Sequence, residues 1–262
     1  MIVYLLLIII MVLMMYKPKR TERKWKQVTV QEAIESPKVI WTFWHKNPPD
    51  MIIKCINTWA KWNPDYVIKL LSLEDIPDFG KVNSHQRLSD YVRLEFLSKY
   101  GGVWCDAGIV MTAPLPKFEG FHGYWLEKFT TRPEFPVIES WFFACPKEHP
   151  FVVAWRDAFY LLKDLDPGMY VKMMTNAGVD IQNIDYPKYL AIHVAAQYVL
   201  QKLGPWDLHL EKAEDGPYKH NVKYGWHTRE AIAGSVNDPA PLIKFTGTNR
   251  FLYGIPEALF KL

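Results

Sequence analysis

The sequence predicts an α/β domain in which parallel strands form a layer covered by helices. Three observations predict it. Runs rich in β-branched and aromatic residues alternate with stretches of helical period through the first half of the chain. Asn-Pro and Gly-Gly pairs punctuate them. The composition is 49% hydrophobic and 23% charged over 262 residues, enough to bury a substantial core and outside the range of disordered, collagen-like or coiled-coil chains.

Residues 38–44 (KVIWTFW) read as a buried first strand, broken by Asn47-Pro48-Pro49-Asp50. Ile52, Cys55, Ile56 and Trp59 then recur at helical spacing, and Asn63-Pro64 ends that helix. Residues 66–71 (YVIKLL) give a second strand. Residues 86–100 give a second helix, with Leu88, Val92 and Phe96 on a core-facing stripe and Gln86, Asp90 and Arg93 on the opposite face. Gly101-Gly102 supplies its C-cap and a tight reversal. A third strand is predicted over 103–110 and another over 138–144 (IESWFFA), followed by helices near 150–162 and 189–203. Beyond Gly204 the pattern turns irregular, rich in Gly, Pro and aromatics, and reads as loops that close a site. The folded part is one domain, 27–262.

The N-terminus reads differently. Residues 1–16 (MIVYLLLIIIMVLMMY) carry no charge, and as a helix at ~1.5 Å per residue they cover roughly 24 Å of a ~30 Å hydrocarbon layer. Nothing basic precedes the run and Lys-Pro-Lys-Arg follows it, the reverse of a cleaved signal peptide. It reads as a single-pass N-terminal membrane anchor. Residues 17–26, a basic juxtamembrane linker, hold six of the Lys and Arg residues against Glu22 alone. Such a cluster stays on the cytoplasmic side, leaving the domain in the cytosol; the alternative is a type II protein with its domain in the ER or Golgi lumen. The cluster also attracts anionic headgroups. Without it the chain's net charge of +3 becomes slightly negative, which excludes nucleic acid as a partner. There is no Asn-x-Ser/Thr sequon, in keeping with a cytosolic domain. Cys55, Cys105 and Cys145 form no C-x-x-C pair and fit a reducing compartment. The eight His show no zinc spacing, and no Walker A, G-x-S-x-G or G-x-G-x-x-G occurs.

The chemistry concentrates in 89–108. Asp90 and Arg93, three apart, share a helix face. Alone they would read as an exposed ion pair; followed by Gly101-Gly102, an apolar strand and Asp106 at its end, they read as part of a site. Ligands of open α/β sheets bind at the carboxyl ends of strands, and an acid after Val-Trp-Cys there needs a partner. Cys105 points to the opposite face as buried filler.

The stretch SDYVRLEFLSKYGGVWCDAG resembles the signature of DXD-type sugar-nucleotide glycosyltransferases of the GT-A fold. The nearest groups are glycosyltransferase family 32 and the capsular polysaccharide synthesis proteins, with the large clostridial glucosylating toxins more distant. PKVIWTFWHKNPP, PVIESWFFACPKEHPFVVAW and PLIKFTGTNRF extend the resemblance over about residues 36–250. It implies a GT-A-like fold, a Rossmann-like mixed sheet flanked by helices. Residue by residue, it implies that Trp44 stacks on the nucleobase and that Asp90 and Arg93 grip the donor sugar. Asp106 stands for the first acid of DXD, which contacts ribose and sugar and helps hold the metal-bound diphosphate. Gly108 stands where the second acid, the stronger metal ligand, belongs. The implied cofactor is a divalent cation, Mn²⁺ or Mg²⁺, held through Asp106, diphosphate oxygens and water, with His227 or Asn249 as the further ligand.

Glycosyl transfer also makes physical sense here. A nucleoside diphosphate leaves, so cationic groups must take up its charge; Lys244 and Arg250 flank a C-terminal loop that can close over it. Glu139 and Trp141 lie on one side of their strand, where they can meet an acceptor, although Trp141 also reads as core. The expected function is that of a hexosyltransferase-like enzyme. It transfers a sugar from a nucleotide-sugar donor to a glycan or lipid-linked (glycolipid) acceptor, with the retention that the family 32 resemblance implies. The rival is a non-catalytic, membrane-anchored glycan-binding protein on the same scaffold, for which Gly108 and the many aromatics argue.

Overall fold

A computed structural model describes residues 35–262. The expected anchor (1–16), the linker (17–26) and the first residues of the domain lie outside the described residues. Among the described residues no helix is long and apolar enough to cross a membrane.

Up to residue 105 the strands and helices form where the patterning puts them. β1 (Val39–Phe43) lies between β2 (Val67–Leu71) and β3 (Gly102–Cys105), all three parallel. Helix α1 (Asp50–Trp62) connects β1 to β2, and α2 (His85–Tyr100) connects β2 to β3. The Ser84 hydroxyl caps α2 by accepting from the Arg87 amide at 3.1 Å. The expected parallel layer ends there. β6 (Ile138–Cys145) runs antiparallel to β3 and to β5 (Phe121–Trp125), and β7 (Leu208–Lys212) joins the far edge parallel to β5. The result is a six-stranded mixed sheet, β2-β1-β3-β6-β5-β7, flanked by helices as the GT-A-like expectation requires.

The predicted strand over 103–110 is two strands. After Cys105 the Asp106 amide still donates to the Trp141 carbonyl at 2.9 Å, but the Ile109 amide closes a turn onto the Asp106 carbonyl at 3.0 Å. β4 (Ile109–Met111) then leaves the sheet and pairs antiparallel with β8 (Leu242–Lys244). Both strands are apolar and buried, so the hydrophobic pattern runs through the turn without marking it. Helix α1 packs on β4: the Trp59 indole donates to the Ile109 carbonyl at 2.8 Å, and the Thr58 hydroxyl accepts from the Met111 amide at 3.0 Å.

Helix α3 (Pro150–Tyr160) packs beside α2, and α5 (Ala191–Leu203) packs on α3 and β6, with α4 (Pro167–Asn176) against α5. Trp155 is fully buried among them, its indole donating to the Ile192 carbonyl at 2.8 Å. The chain beyond Gly204 is more ordered than its composition suggests. It holds β7, β8 and four short helices: α6 (Lys219–Lys223), α7 (Arg229–Asn237), α8 (Gly247–Tyr253) and α9 (Glu257–Lys261). Their apolar residues, among them Ile232, Phe245 and Leu259, form a second core cluster with Cys55 of α1 and Val110 of β4.

The glycine pair behaves as the sequence requires. Gly101 has φ 67° and ψ −166°, a conformation open essentially to glycine, and its amide caps α2 through the Leu97 carbonyl at 3.0 Å. A Cβ there would strike the backbone of Pro146 and Lys147, which cannot move aside. Gly101→Ala is therefore expected to lower unfolding free energy by about 3 kcal/mol, read by urea titration, whereas the same change at Gly120, with φ 73° but open space around it, should cost about 1 kcal/mol.

Candidate functional site

One open cavity of about 530 Å³ lies at the carboxyl ends of β1 and β3. The end of β1 brings Trp44, the turn after β3 brings Asp106 and Gly108, and β6 brings Glu139 and Trp141. The start of α2 brings Asp90 and Arg93, and the C-terminal segment brings Lys244 and Arg250. His227 and Asn249 do not line it.

Arg93 organises this cavity. It is 5% exposed, and each guanidinium nitrogen has a partner inside the protein. Nη1 donates to the Ser140 carbonyl at 2.7 Å and the Ser140 hydroxyl at 2.8 Å. Nε reaches the Ser89 carbonyl at 3.3 Å. Nη2 sits between two carboxylates, 3.3 Å from Asp90 Oδ1 and 3.4 Å from Asp106 Oδ1. The group also lies over the Trp104 ring, 5.2 Å from its centroid. It thereby ties α2, the turn after β3 and β6 together.

Asp106 has cations on both sides. Its Oδ2 accepts from the Lys244 ammonium at 2.8 Å, and its Oδ1 accepts from the Trp104 indole at 3.1 Å besides facing Arg93. Burial alone would push this carboxyl up, but Lys244 and Arg93 outweigh it and bring it down to about 2. Asp90 goes the other way. Burial holds it above the ordinary carboxylate range, against the pull of Arg93 and Arg87. Cys105, on the far face of the strand, is buried and its thiol is pushed well up, so it is an inert filler.

The walls are aromatic. The His45 ring stacks on His85 at 3.5 Å between centroids and lies 6.3 Å from Trp44, making a shelf at the end of β1. Burial first, then the nearby His85 and Lys46, lowers the His45 pKa. Trp141, 4% exposed, stacks on Tyr124 at 5.1 Å while still lining the cavity, so it is both core and wall. Buried Glu139 faces buried His193 of α5 at 3.7 Å.

Several cavity residues escape sequence reasoning. Arg87 is findable, since it lies three residues before Asp90 on the same helix face. Its guanidinium donates to the Lys188 carbonyl at 2.6 Å, pinning the approach to α5. Ser140 and His193 carry no local signal, because their roles arise only when β6 and α5 fold against α2. Lys244 and Arg250 sit on β8 and α8 rather than on a closing loop.

The donor set does not fit Mn²⁺ or Mg²⁺ as it stands. Both Asp106 oxygens face cations, and Gly108 offers no ligand; a Cβ there would collide with the Arg250 guanidinium. His227 is exposed and bonds through Nδ1 to the Thr246 hydroxyl at 2.9 Å. Asn249 is fully buried, its Oδ1 accepting from the same hydroxyl at 2.6 Å. Among the described residues no group of three or more His, Cys, Asp or Glu is placed to hold a metal ion.

Residues 14–163, more than half of the chain, match the capsular polysaccharide synthesis proteins. The chain belongs to that family. The chain is 26% identical over 185 residues to the O-glycosyltransferase braB of Annulohypoxylon truncatum, an alignment taking in 56% of the chain and 42% of that relative. It thus spans less than half of the relative's length. Among solved structures it is similar to the PaToxG glycosyltransferase, at 16% identity over 66% of the chain and 88% of that structure, with a TM-score of 0.33. It is similar also to a glycosyltransferase involved in glycosylating the major capsid of PBCV-1, at 11% identity over 81% and 94%, with a TM-score of 0.44.

Two outcomes follow for this member of the family. Arg93→Ala leaves Asp90 buried without its partner and Ser140 unbonded, and should cost about 3 kcal/mol or more in urea unfolding. Asp106 titrates lower in the folded than in the unfolded chain, so its contribution is full above the unfolded value of 3.8 and is lost as pH falls through about 2. The stability difference between the wild type and Asp106→Asn should therefore shrink by about 2 kcal/mol from about pH 5 to about pH 2.

Proposed function

We propose that the cavity binds a nucleotide-sugar and transfers its sugar to a hydroxyl of a glycan or lipid-linked acceptor. The observation that carries this reading is Asp106, an ionised carboxylate at the end of a central strand with Lys244 and Arg93 on either side of it. A purely structural ion pair needs no open cavity beside it, and this one faces a space the size of a small-molecule site.

Each wall then has a task. The shelf of Trp44, His45 and His85 receives the nucleobase by stacking. Asp106 accepts hydrogen bonds from ribose and sugar hydroxyls. Asp90, held up by burial, bonds the sugar beside it. Arg93, with its donors already used inside the protein, is a positioning residue that fixes both carboxylates. Lys244 and Arg250 face the diphosphate. In the transfer step the bond from the anomeric carbon to the diphosphate oxygen breaks, and its electron pair stays on the diphosphate. The acceptor oxygen bonds to that carbon, and its proton passes to the departing oxygen, which puts the new bond on the same face. Developing positive charge on the sugar is stabilised by nearby carboxylate. Glu139 and Trp141 hold the acceptor. An apolar anchor at 1–16 would keep the domain beside a membrane, which suits a lipid-linked acceptor.

The test is a panel of UDP- and GDP-sugars with the full chain, following nucleoside diphosphate release. One donor should be turned over, and Asp106→Asn, with its fold checked by circular dichroism, should slow release by about 100-fold. No release from any donor would sink the proposal in favour of a glycan-binding protein.

A further inference from the structure

We infer that the Lys244 ammonium and the Arg250 guanidinium stand in place of a divalent cation here, so that a nucleoside diphosphate is bound and released without a metal ion. The inference rests on the glycosyl-transfer reading above and deepens it.

Three features carry it, and the first is the placement of Lys244. β8 pairs with β4 in the register Ile109↔Lys244, so the backbone ladder sets the lysine opposite the turn that presents Asp106. Its side chain is 12% exposed and its Nζ lies 2.8 Å from Asp106 Oδ2, the place of a cation ligated by that carboxylate. The second is the complementarity of Gly108 and Arg250. The guanidinium fills the volume in front of the Gly108 Cα, where any side chain at 108 would begin, and Nη1 is steadied by the Phe245 carbonyl at 3.3 Å. With Gly108 the guanidinium keeps this position, whereas a side chain at 108 would push it aside.

The third feature is charge. A divalent ion at Asp106 would meet Lys244, Arg93 and Arg250 lining the same cavity, like charges in a partly dehydrated space. A diphosphate meets the opposite situation. Lysine offers a compact point charge and arginine a fork that matches two phosphate oxygens. As the bond to the anomeric carbon breaks, the electron pair left on the diphosphate oxygen falls beside cations already in place, so no reorganisation is needed.

The experiment is calorimetric binding of UDP and of GDP to the full chain, once in EDTA and once in Mn²⁺. For whichever nucleotide binds, affinity in EDTA and in Mn²⁺ should agree within about fivefold. Lys244→Met and Arg250→Met should each weaken binding in EDTA by about tenfold or more. Lys244→Arg, which keeps the charge, should restore most of it and separates a charge effect from damage to the β4–β8 pairing; thermal melts confirm that the variants fold. A larger loss in EDTA, or methionine variants that bind like the wild type, would overturn the inference and leave the transferase reading standing. Absence of UDP and GDP binding in both conditions would overturn both.

Discussion

The Arg93 guanidinium is the interaction on which the site depends. It is buried where α2, the turn after β3 and β6 meet, and it is bonded to a residue of each. A buried charge is tolerated only when paired and fully bonded, so Asp90, Asp106 and Ser140 must all be present and in place. The arrangement is mutually enforcing. Asp106 cannot be ionised in that position without cations beside it, and Arg93 cannot be buried without carboxylates. The antiparallel pairing of β3 with β6 makes this possible, since Trp104 lies opposite Phe143 and Asp106 then continues onto the Trp141 carbonyl.

The same charge separates the two acids. Asp90 lies deepest and burial dominates, holding it above the usual range; Asp106 has the second cation, Lys244, and is held low. Neighbouring carboxylates whose environments push them in opposite directions can take different tasks. Asp90 and Asp106 are thus asymmetric in the fold, one through its burial and the other through a lysine 138 residues away from it in sequence.

Legibility in the sequence follows how local each cause is. The β1–α1–β2–α2–β3 run could be read because strand and helix periods, Asn63-Pro64 and Gly101-Gly102 are local signals, and Gly101 indeed takes a conformation that only glycine adopts readily. Asp90, Arg93 and Asp106 were visible because helix spacing and a glycine pair place them together. The antiparallel half of the sheet was hidden, since 138–144 reads the same whichever way it pairs. The break at 106–108 was hidden too, because both flanking strands are apolar and buried. Ser140 and His193 meet α2 and β6 only through long-range packing, and no periodicity encodes that. Lys244 and Arg250 were found as charges in the right segment, but as loop residues. The two turns of α8 and the three residues of β8 are too short to raise a period above an irregular background.

That last difference changes what the C-terminal segment can do. A flexible loop carrying Lys244 and Arg250 would have to be ordered around each incoming diphosphate, at the entropic cost of fixing its backbone. In the folded chain that ordering is already complete. β8 is paired with β4, and Phe245, Ile243 and Leu259 are buried against Val110 and Cys55, so the segment is part of a core. The Thr246 hydroxyl caps α8 through the Asn249 amide at 3.1 Å and sets the helix that carries Arg250. Ordered this way, the cations face the cavity before any ligand arrives. Fixed charge of this kind acts on a departing anion without first reorganising, which is where electrostatic stabilisation has its largest effect. The short strand from the far end of the chain is therefore as much a part of the site as the strand that ends in Asp106.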